Sequence, residues 1–530
     1  MTGAHTSPSR PPSAQPEPAP PPSLPAAAPA LLPGVLAATL VAAVLRLFHL
    51  GHQSLWIDEV FTWFSADIGR RLPLEDVLDN VHGPLHSLVL HAFGAWAGDS
   101  EWALRLPSAL FGIAMVPALA WLAARWLGRE TATPAAWLAA GSPFLVWYSQ
   151  EARNYTLLML CACLAGALLL GGGTRTRRGL GYLAAAWAGL LANLSFALLA
   201  PLHLRWWVAG PRAGRARRLA SAALLGAALL LLLAPWALKA LSVWDWQRLH
   251  PVRATVAGET PLRGSTTFHP FALPFALHAF AAGYTLGPSL RELRADASVA
   301  AVVRHGPELA LTAVLFGTLG VLGLAAVARR RRLADALLWV VVPALVVSFF
   351  AARNFKVFHP RYLAVAQPAF LLVLAAGLAD LRGRRRALAA AAVALLWAAS
   401  LGHHYFDPRY GKEDYRSAAR LVAERGRAGE QVLAVGAEDP VSYYYRGPLR
   451  VDRLWLGYAS RPARLAQKLD EKLAGAHGTW VVLSRPEDLD PQGVFARMLD
   501  EGFPDATRHR LEGVRVWHLG PGAALRRATP

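Results

Sequence analysis

Apolar residues along this chain gather into blocks of about 17–24 residues, the length a helix needs to cross a hydrocarbon core, and most blocks carry no internal charge. Blocks at 31–50, 103–125, 132–148, 154–171, 179–194, 196–208, 218–241, 306–328, 333–352, 360–381 and 386–403 predict eleven spans. The weakest is 196–208, where Asn193, Ser195 and Pro201 predict a broken or hairpin helix. The segment 84–98 is short and carries His86 and His91, so it reads as a helix lying in the interface. With that choice and a cytoplasmic N-terminus, the connections Arg125/Arg129, Arg175/Arg177/Arg178, Arg205 to Arg218, Arg329 to Arg332 and Arg382 to Arg386 all fall inside, as the positive-inside rule requires. Segments 51–102, about 242–305 and 404–530 are then outside.

Beyond the last block the period changes. QVLAVGA, GTWVVLS and VRVWHLG read as strands, with Arg416–Arg425 and Pro462–Leu473 as helices. The expected fold is therefore an α-helical polytopic membrane protein of about eleven transmembrane helices with a small C-terminal α/β extracytoplasmic domain. Its parts are a disordered cytoplasmic tail (1–30), a membrane domain (31–403, first outer loop 51–102) and the α/β domain (404–530). No repeat appears at solenoid periods.

Composition agrees: 54% hydrophobic and 17% charged residues over a 530-residue chain exclude an ordinary soluble enzyme. The net charge of +19 sits in short loops between apolar blocks, so it orients the chain and does not predict nucleic-acid binding. Cys161 and Cys163 lie two apart in one apolar block and imply no disulfide. Residues 1–30, dominated by Pro, Ala and Ser with only Arg10 and no apolar run, are expected to form a disordered tail and not a cleaved signal peptide.

Four polar features carry candidate chemistry. Asp58 and Glu59 stand among Trp56, Ile57, Val60, Phe61, Trp63 and Phe64. Carboxylates at an apolar membrane face are costly without partners or a task; the alternative is that Asp58 caps the next helix. His82 and His86 sit four apart, a spacing that suits a metal, although no third ligand is apparent. No cofactor is thus expected outright, a divalent metal stays open, and a bond to phosphate or to the carboxylates is the preferred role. Glu151 and Arg153 lie in a polar island, Tyr148 to Tyr155, on the outer face; Arg153 either pairs with Glu151 or meets a lipid phosphate. Arg353, Lys356, His359, Arg361 and Tyr362 are outside against the charge bias, where they bind a donor phosphate or anionic lipid heads. Arg46 and Arg105, at outer helix ends, are expected to snorkel.

The ordered set Arg46, Trp56-Ile-Asp58-Glu59, His82-Gly-Pro-Leu, Glu101-Trp-Ala-Leu-Arg105-Leu-Pro-Ser, Tyr148-Ser-Gln-Glu-Ala-Arg153-Asn-Tyr and Arg361-Tyr362 resembles the bacterial family 39 glycosyltransferases. These are relatives of protein O-mannosyltransferases and lipid A aminoarabinose transferases in the GT-C superfamily. The likeness covers roughly 35–405, and Tyr410-Gly-Lys-Glu-Asp-Tyr-Arg416 is similar to the start of the extracytoplasmic domain of such members. One departure is clear: the mannosyltransferase pattern His-Pro-Pro-Leu-Gly-Lys appears as His82-Gly-Pro-Leu-His86-Ser87, without the lysine.

The resemblance implies a GT-C fold in a bacterial plasma membrane, an active site facing outward, a polyprenyl-phosphate-linked sugar as donor and inversion at the anomeric carbon. It assigns Asp58 the role of catalytic base with Glu59 beside it, and puts Arg153 in the second outer loop, where relatives contact donor or acceptor; His82, His86, Arg105, Glu151, Arg153, Arg361 and Tyr362 are together the candidate donor-phosphate or substrate contacts. The acceptor, whether protein, lipid or envelope glycan, is left unknown. Membrane lipids are the other expected partners. The rival from another class is a transporter or flippase for a lipid-linked sugar, since buried arginines and broken helices also mark transport paths. Against it stand the lack of repeated halves and the concentration of polar residues in outer loops. A non-catalytic scaffold would leave Asp58 and Glu59 unexplained.

Overall fold

Every predicted block is helical in the computed structural model, which describes residues 32–68, 83–171, 174–211, 213–243, 271–296, 298–353, 358–436, 438–454, 456, 462–490 and 492–522. In chain order come α1 (Leu32–Leu47), α2 (Ile57–Ala66), α3 (Leu85–Ala97), α4 (Glu101–Trp126), α5 (Ala132–Gly141), α6 (Pro143–Ser149), α7 (Tyr155–Leu169) and α8 (Arg175–Ala192). A 3-10 turn, Leu194–Leu199, then leads into α9 (Ala200–Val208), followed by α10 (Arg215–Val243). After it lie α11 (Ala272–Ala282), α12 (Leu290–Ala295), α13 (Val299–Val303), α14 (Gly306–Arg329) and α15 (Leu333–Ala352). A second 3-10 turn, Pro360–Ala366, opens α16 (Gln367–Asp380), and α17 (Gly383–Phe406) closes the bundle. Among the described residues six helices are long and apolar enough to cross a membrane.

Two expectations need correction. The block 132–148 is not one helix: Ser142 ends α5, accepts from the Leu145 N–H and starts α6 with Pro143 at its first position, where proline costs no intrahelical bond. The segment 242–305, read as an outer loop, contains α11, whose Ala276, Ala279, Phe280, Ala281 and Ala282 are buried in the bundle core. Eleven residues are too few to span, so a search by length passes over it.

Small residues let the helices meet closely. A Cβ placed on Gly323 of α14 would sit 2.1 Å from the Val373 carbonyl oxygen of α16, and one on Gly377 would sit 2.7 Å from that of Leu319. The bundle also has two chemically distinct ends. At one, Arg330 reaches Glu130, Asp380 and the Leu127 carbonyl, while Arg205 pairs with Asp335 at 2.6 Å. At the other, the loop 49–54, the Gln150–Asn154 loop, His359–Arg361 and the residues after α17 come together.

The C-terminal unit consists of α18 (Tyr415–Arg425), β1 (Gln431–Val435), α19 (Glu438–Tyr444), β2 (Arg450–Leu454), α20 (Pro462–Leu473), β3 (Thr479–Ser484), α21 (Pro486–Leu489), α22 (Val494–Gly502), β4 (Thr507–Leu511) and β5 (Val514–Leu519). The sheet order is β2-β1-β3-β5-β4, with β1 parallel to β2 and β3 and the β4–β5 hairpin antiparallel. Residues of α18 and α19 (Tyr415, Ala418, Val422, Val441) cover one face against Val432 and Trp480. Leu465, Leu469, Phe495 and Leu499 of α20 and α22 cover the other against Leu433 and Val481. The central strands are therefore apolar and legible, whereas the edge strands RVDRL and TRHRL expose much of their length and were not anticipated.

Gly323→Val is expected to force α14 and α16 apart, costing about 1–3 kcal/mol or more. Gly317→Val, where a Cβ meets nothing within 4 Å, should melt like the wild type in the same detergent. Equal melting of both variants would contradict the close contact.

Candidate active site

The site is built on α2, a short helix whose first turn holds two acids with different surroundings. Glu59 is fully buried. Its Oε1 accepts from Arg105 Nε at 2.8 Å and the Ala152 N–H at 2.8 Å. Its Oε2 accepts from Arg105 Nη2 at 2.8 Å, Lys412 Nζ at 3.0 Å and, reaching back to the helix start, the Trp56 N–H at 3.3 Å. Burial alone would raise its pKa, but Arg105 and Lys412 outweigh that and hold it at about 2.

Arg105 is equally committed. Beyond Glu59 it donates to the carbonyls of Leu50, Gln53 and Ser54 at 3.0, 2.8 and 2.9 Å. It is 2% exposed, so it does not snorkel. Arg46, also fully buried, donates to the Ala139 and Ala140 carbonyls at the broken end of α5 and to Ser149 Oγ. Both arginines satisfy carbonyls that a helix end or a tight loop leaves without backbone partners.

Asp58, one residue earlier, is partly exposed. It is not the N-cap, a position taken by Trp56. Its Oδ2 lies 2.7 Å from Arg361 Nη1, and Arg361 stands over the rings of Trp56 and Tyr362, each at 5.3 Å. Arg153 does not pair with Glu151: its Nη1 donates to the Asp58 carbonyl at 3.1 Å and to Thr62 Oγ1 at 2.9 Å. His86 bonds Ser108 Oγ at 3.1 Å, and that hydroxyl donates to the Arg153 carbonyl. Burial, then the Arg153 charge, lowers the His86 pKa to about 3, so the imidazole is neutral. Among the described residues no group of three His, Cys, Asp or Glu could hold a metal. His82 and Lys356 lie outside the described residues.

Several buried polar atoms here have no partner among the described residues: the N–H donors Trp56 Nε1, Arg153 Nε and Arg361 Nε, and the acceptor Glu151 Oε2. Each such atom costs about 1–3 kcal/mol unless water or a ligand meets it. Glu151 has Lys412 Nζ at 3.5 Å, and its pKa is raised, chiefly by burial, with Lys412 opposing and Glu59 adding to the rise. The arrangement thus offers guanidinium and indole N–H donors beside an accessible carboxylate.

The sequence places Lys412 in the motif Tyr410 to Arg416 without marking a role for it. The elements that fix α2 from the C-terminal side were also unforeseen: Tyr444 accepts from the Leu55 N–H at 2.7 Å and donates to Glu101, Tyr443 donates to the Asp99 carbonyl, and Trp63 packs edge-on to Tyr443. One signal was available, a lysine and an arginine just past the last span facing an acidic first loop.

The architecture has solved counterparts. ArnT from Cupriavidus metallidurans bound to undecaprenyl phosphate superposes with a TM-score of 0.56 at 16% identity, covering 93% of this chain and 99% of that one. The chain has the GT-C glycosyltransferase fold. A second GT-C structure, the archaeal oligosaccharyltransferase AglB from Archaeoglobus fulgidus with an inhibitory peptide and a dolichol-phosphate, matches with a TM-score of 0.50 at 13% identity over 92% of this chain and 74% of that one. Residues 81–238 match the family model described as dolichyl-phosphate-mannose-protein mannosyltransferase, a stretch holding His86, Arg105, Glu151 and Arg153 but neither Asp58 nor Arg361. No curated protein matches the sequence.

Arg105→Met would remove two of the five hydrogen bonds that Glu59 accepts and leave it buried without its main counter-charge, and breaking such a pair costs about 3–5 kcal/mol. Because the Glu59 pKa is lowered on folding, its contribution is present above the ordinary value near 4.5 and lost as pH falls toward about 2. Melting in detergent should therefore drop steeply for Arg105→Met at pH 7, and the wild type should lose stability across that acid window. A variant as stable as the wild type at pH 7 would contradict the assignment.

Proposed function

We propose that the protein is an inverting glycosyltransferase that moves a sugar from a polyprenyl-phosphate donor to an extracytoplasmic acceptor in a bacterial plasma membrane. The observation that carries this reading is the pairing of an accessible carboxylate, Asp58, with unpartnered buried N–H donors on Arg153, Arg361 and Trp56. Donors left unmet by the protein suit phosphate oxygens, and arginine forks suit them best. Two similar folds carry a polyprenyl or dolichyl phosphate in their solved complexes, which supports the same donor class here.

In this mechanism the acceptor oxygen attacks the anomeric carbon from the face opposite the phosphate. A bond forms between that oxygen and carbon, the carbon–phosphate-oxygen bond breaks, and the electron pair leaves with the lipid phosphate. Asp58 takes the acceptor's proton; carboxylates are weak bases toward a hydroxyl, so transfer comes late, when the sugar has gained oxocarbenium character. Arg361 orients Asp58, and Arg153 with Arg361 stabilises the growing charge on the departing phosphate. Glu59 keeps α2 in place, since all its donors are internal. The arginine-rich end of the bundle faces the cytoplasm under the positive-inside rule, which puts the site outside.

Membranes bearing wild type or Asp58→Asn at matched abundance, supplied with radiolabelled sugar on polyprenyl phosphate, test the reading. Label entering a lipid, glycan or protein fraction should fall at least about 10²-fold in Asp58→Asn. Equal labelling would remove Asp58 as the base, and no labelling from any donor would favour transport of a lipid-linked sugar instead.

A further inference from the structure

The chain leaves the bundle at Phe406 and enters the sheet unit at α18 through a short strap, residues 407–414. The strap is pinned on both sides of Lys412. Tyr410 donates to the Gly287 carbonyl at 2.8 Å, Glu413 pairs with Arg294 at 3.1 Å, and the Asp414 N–H donates to the Glu512 carbonyl at 2.8 Å. Just beyond, Arg416 holds Glu101 and the Gly51 carbonyl, and the Lys412 N–H itself reaches Gln53 Oε1. The lysine side chain, 9% exposed, is thereby delivered between Glu59 and Glu151.

Those two carboxylates do not need it equally. Glu59 has four other N–H donors from Arg105, Trp56 and Ala152. For Glu151, Lys412 is the one ion partner among the described residues, and it touches Oε1 alone. Oε2 is buried and bare. A phosphate would be repelled by that oxygen, whereas a hydroxyl offers it a proton to share.

We propose that Glu151 Oε2 accepts a hydrogen bond from a hydroxyl of the substrate sugar, and that Lys412, carried in by the strap, is the positioning residue that holds Glu151 in place. This rests on the glycosyl-transfer reading above. Glu151 is faced by Lys412 from the strap, Glu59 and Asp58 from α2, Arg361 from the turn before α16, Arg105 from α4, and Tyr148 and Tyr284. Burial and the two α2 carboxylates favour its protonation; Lys412 is the strongest force against it, ahead of Arg361. Without the lysine, the balance around Glu151 shifts further toward the protonated carboxyl, a poorer acceptor for a sugar hydroxyl.

The test uses the full chain in lipid nanodiscs with a polyprenyl-phosphate sugar donor, comparing wild type, Asp58→Asn, Lys412→Arg, Lys412→Met, Glu151→Gln and the double variant Lys412→Met/Glu151→Gln. Lys412→Met should lose roughly 10–100-fold in kcat/KM, the size expected for a hydrogen bond to a charged group, and the acid limb of its pH profile should move upward. Lys412→Arg should recover most of the rate. The double variant should be no slower than Glu151→Gln, because the lysine acts through that carboxylate. Multiplying losses in the double variant, or an unmoved acid limb, would overturn the proposal and make Lys412 a strut only. Should Lys412→Met fail to fold, Lys412→Gln takes its place in the same comparison. If Asp58→Asn is silent while Lys412→Met matches the wild type, this inference alone fails; a wild type inert with every donor sinks the transferase reading and this inference with it.

Discussion

The buried pair of Glu59 and Arg105 is the constraint from which the rest of the site follows. A buried ion pair is weak grounds for stability, because desolvation offsets most of its attraction, but it is strong grounds for geometry once every lone pair and proton is used. Here Arg105 draws the loop 50–54 onto the start of α4, while Glu59 takes the Trp56, Ala152 and Lys412 donors. Four segments far apart in sequence are thereby locked to one turn of α2. Successive helical residues point about 100° apart, so fixing Glu59 inward turns Asp58 toward Arg361 and the accessible side. Adjacent acids on one helical turn therefore have opposite surroundings, one enclosed by donors and one accessible.

The same logic explains why the sheet unit closes over this end of the bundle. Its contacts with α2 and the first loop come from tyrosine hydroxyls, the strap lysine and Arg416, each meeting a backbone or carboxylate group that the bundle leaves exposed. The unit's own core is independent, with helices on both faces of the sheet. Positioning of α2 and folding of the sheet are thus separable properties, and the strap joins them.

Much of this was legible in the chain. The helical blocks and the central strands were, because burial on all sides leaves an unmistakable apolar run. The helix α11 and the edge strands were not: the first is too short for a length criterion, and the others are polar because they are half solvated. At the site, paired acids in an aromatic setting marked α2, but which acid was buried could not be read, since that depends on Arg105 and Lys412 arriving from 46 and 353 residues away. The expected snorkelling of Arg46 and Arg105 failed for a related reason. Sequence position shows a helix end, not the orphan carbonyls that a neighbouring broken helix or tight loop offers there.

The central claim is that the unpartnered donors beside Asp58 await a lipid phosphate. A cryo-EM map of the full chain in nanodiscs with added polyprenyl phosphate tests it most directly. The account predicts phosphate density within hydrogen-bonding distance of Arg153 and Arg361, next to Asp58 and with α2 unmoved. Phosphate density elsewhere in the bundle, with those donors filled by water alone, would contradict it.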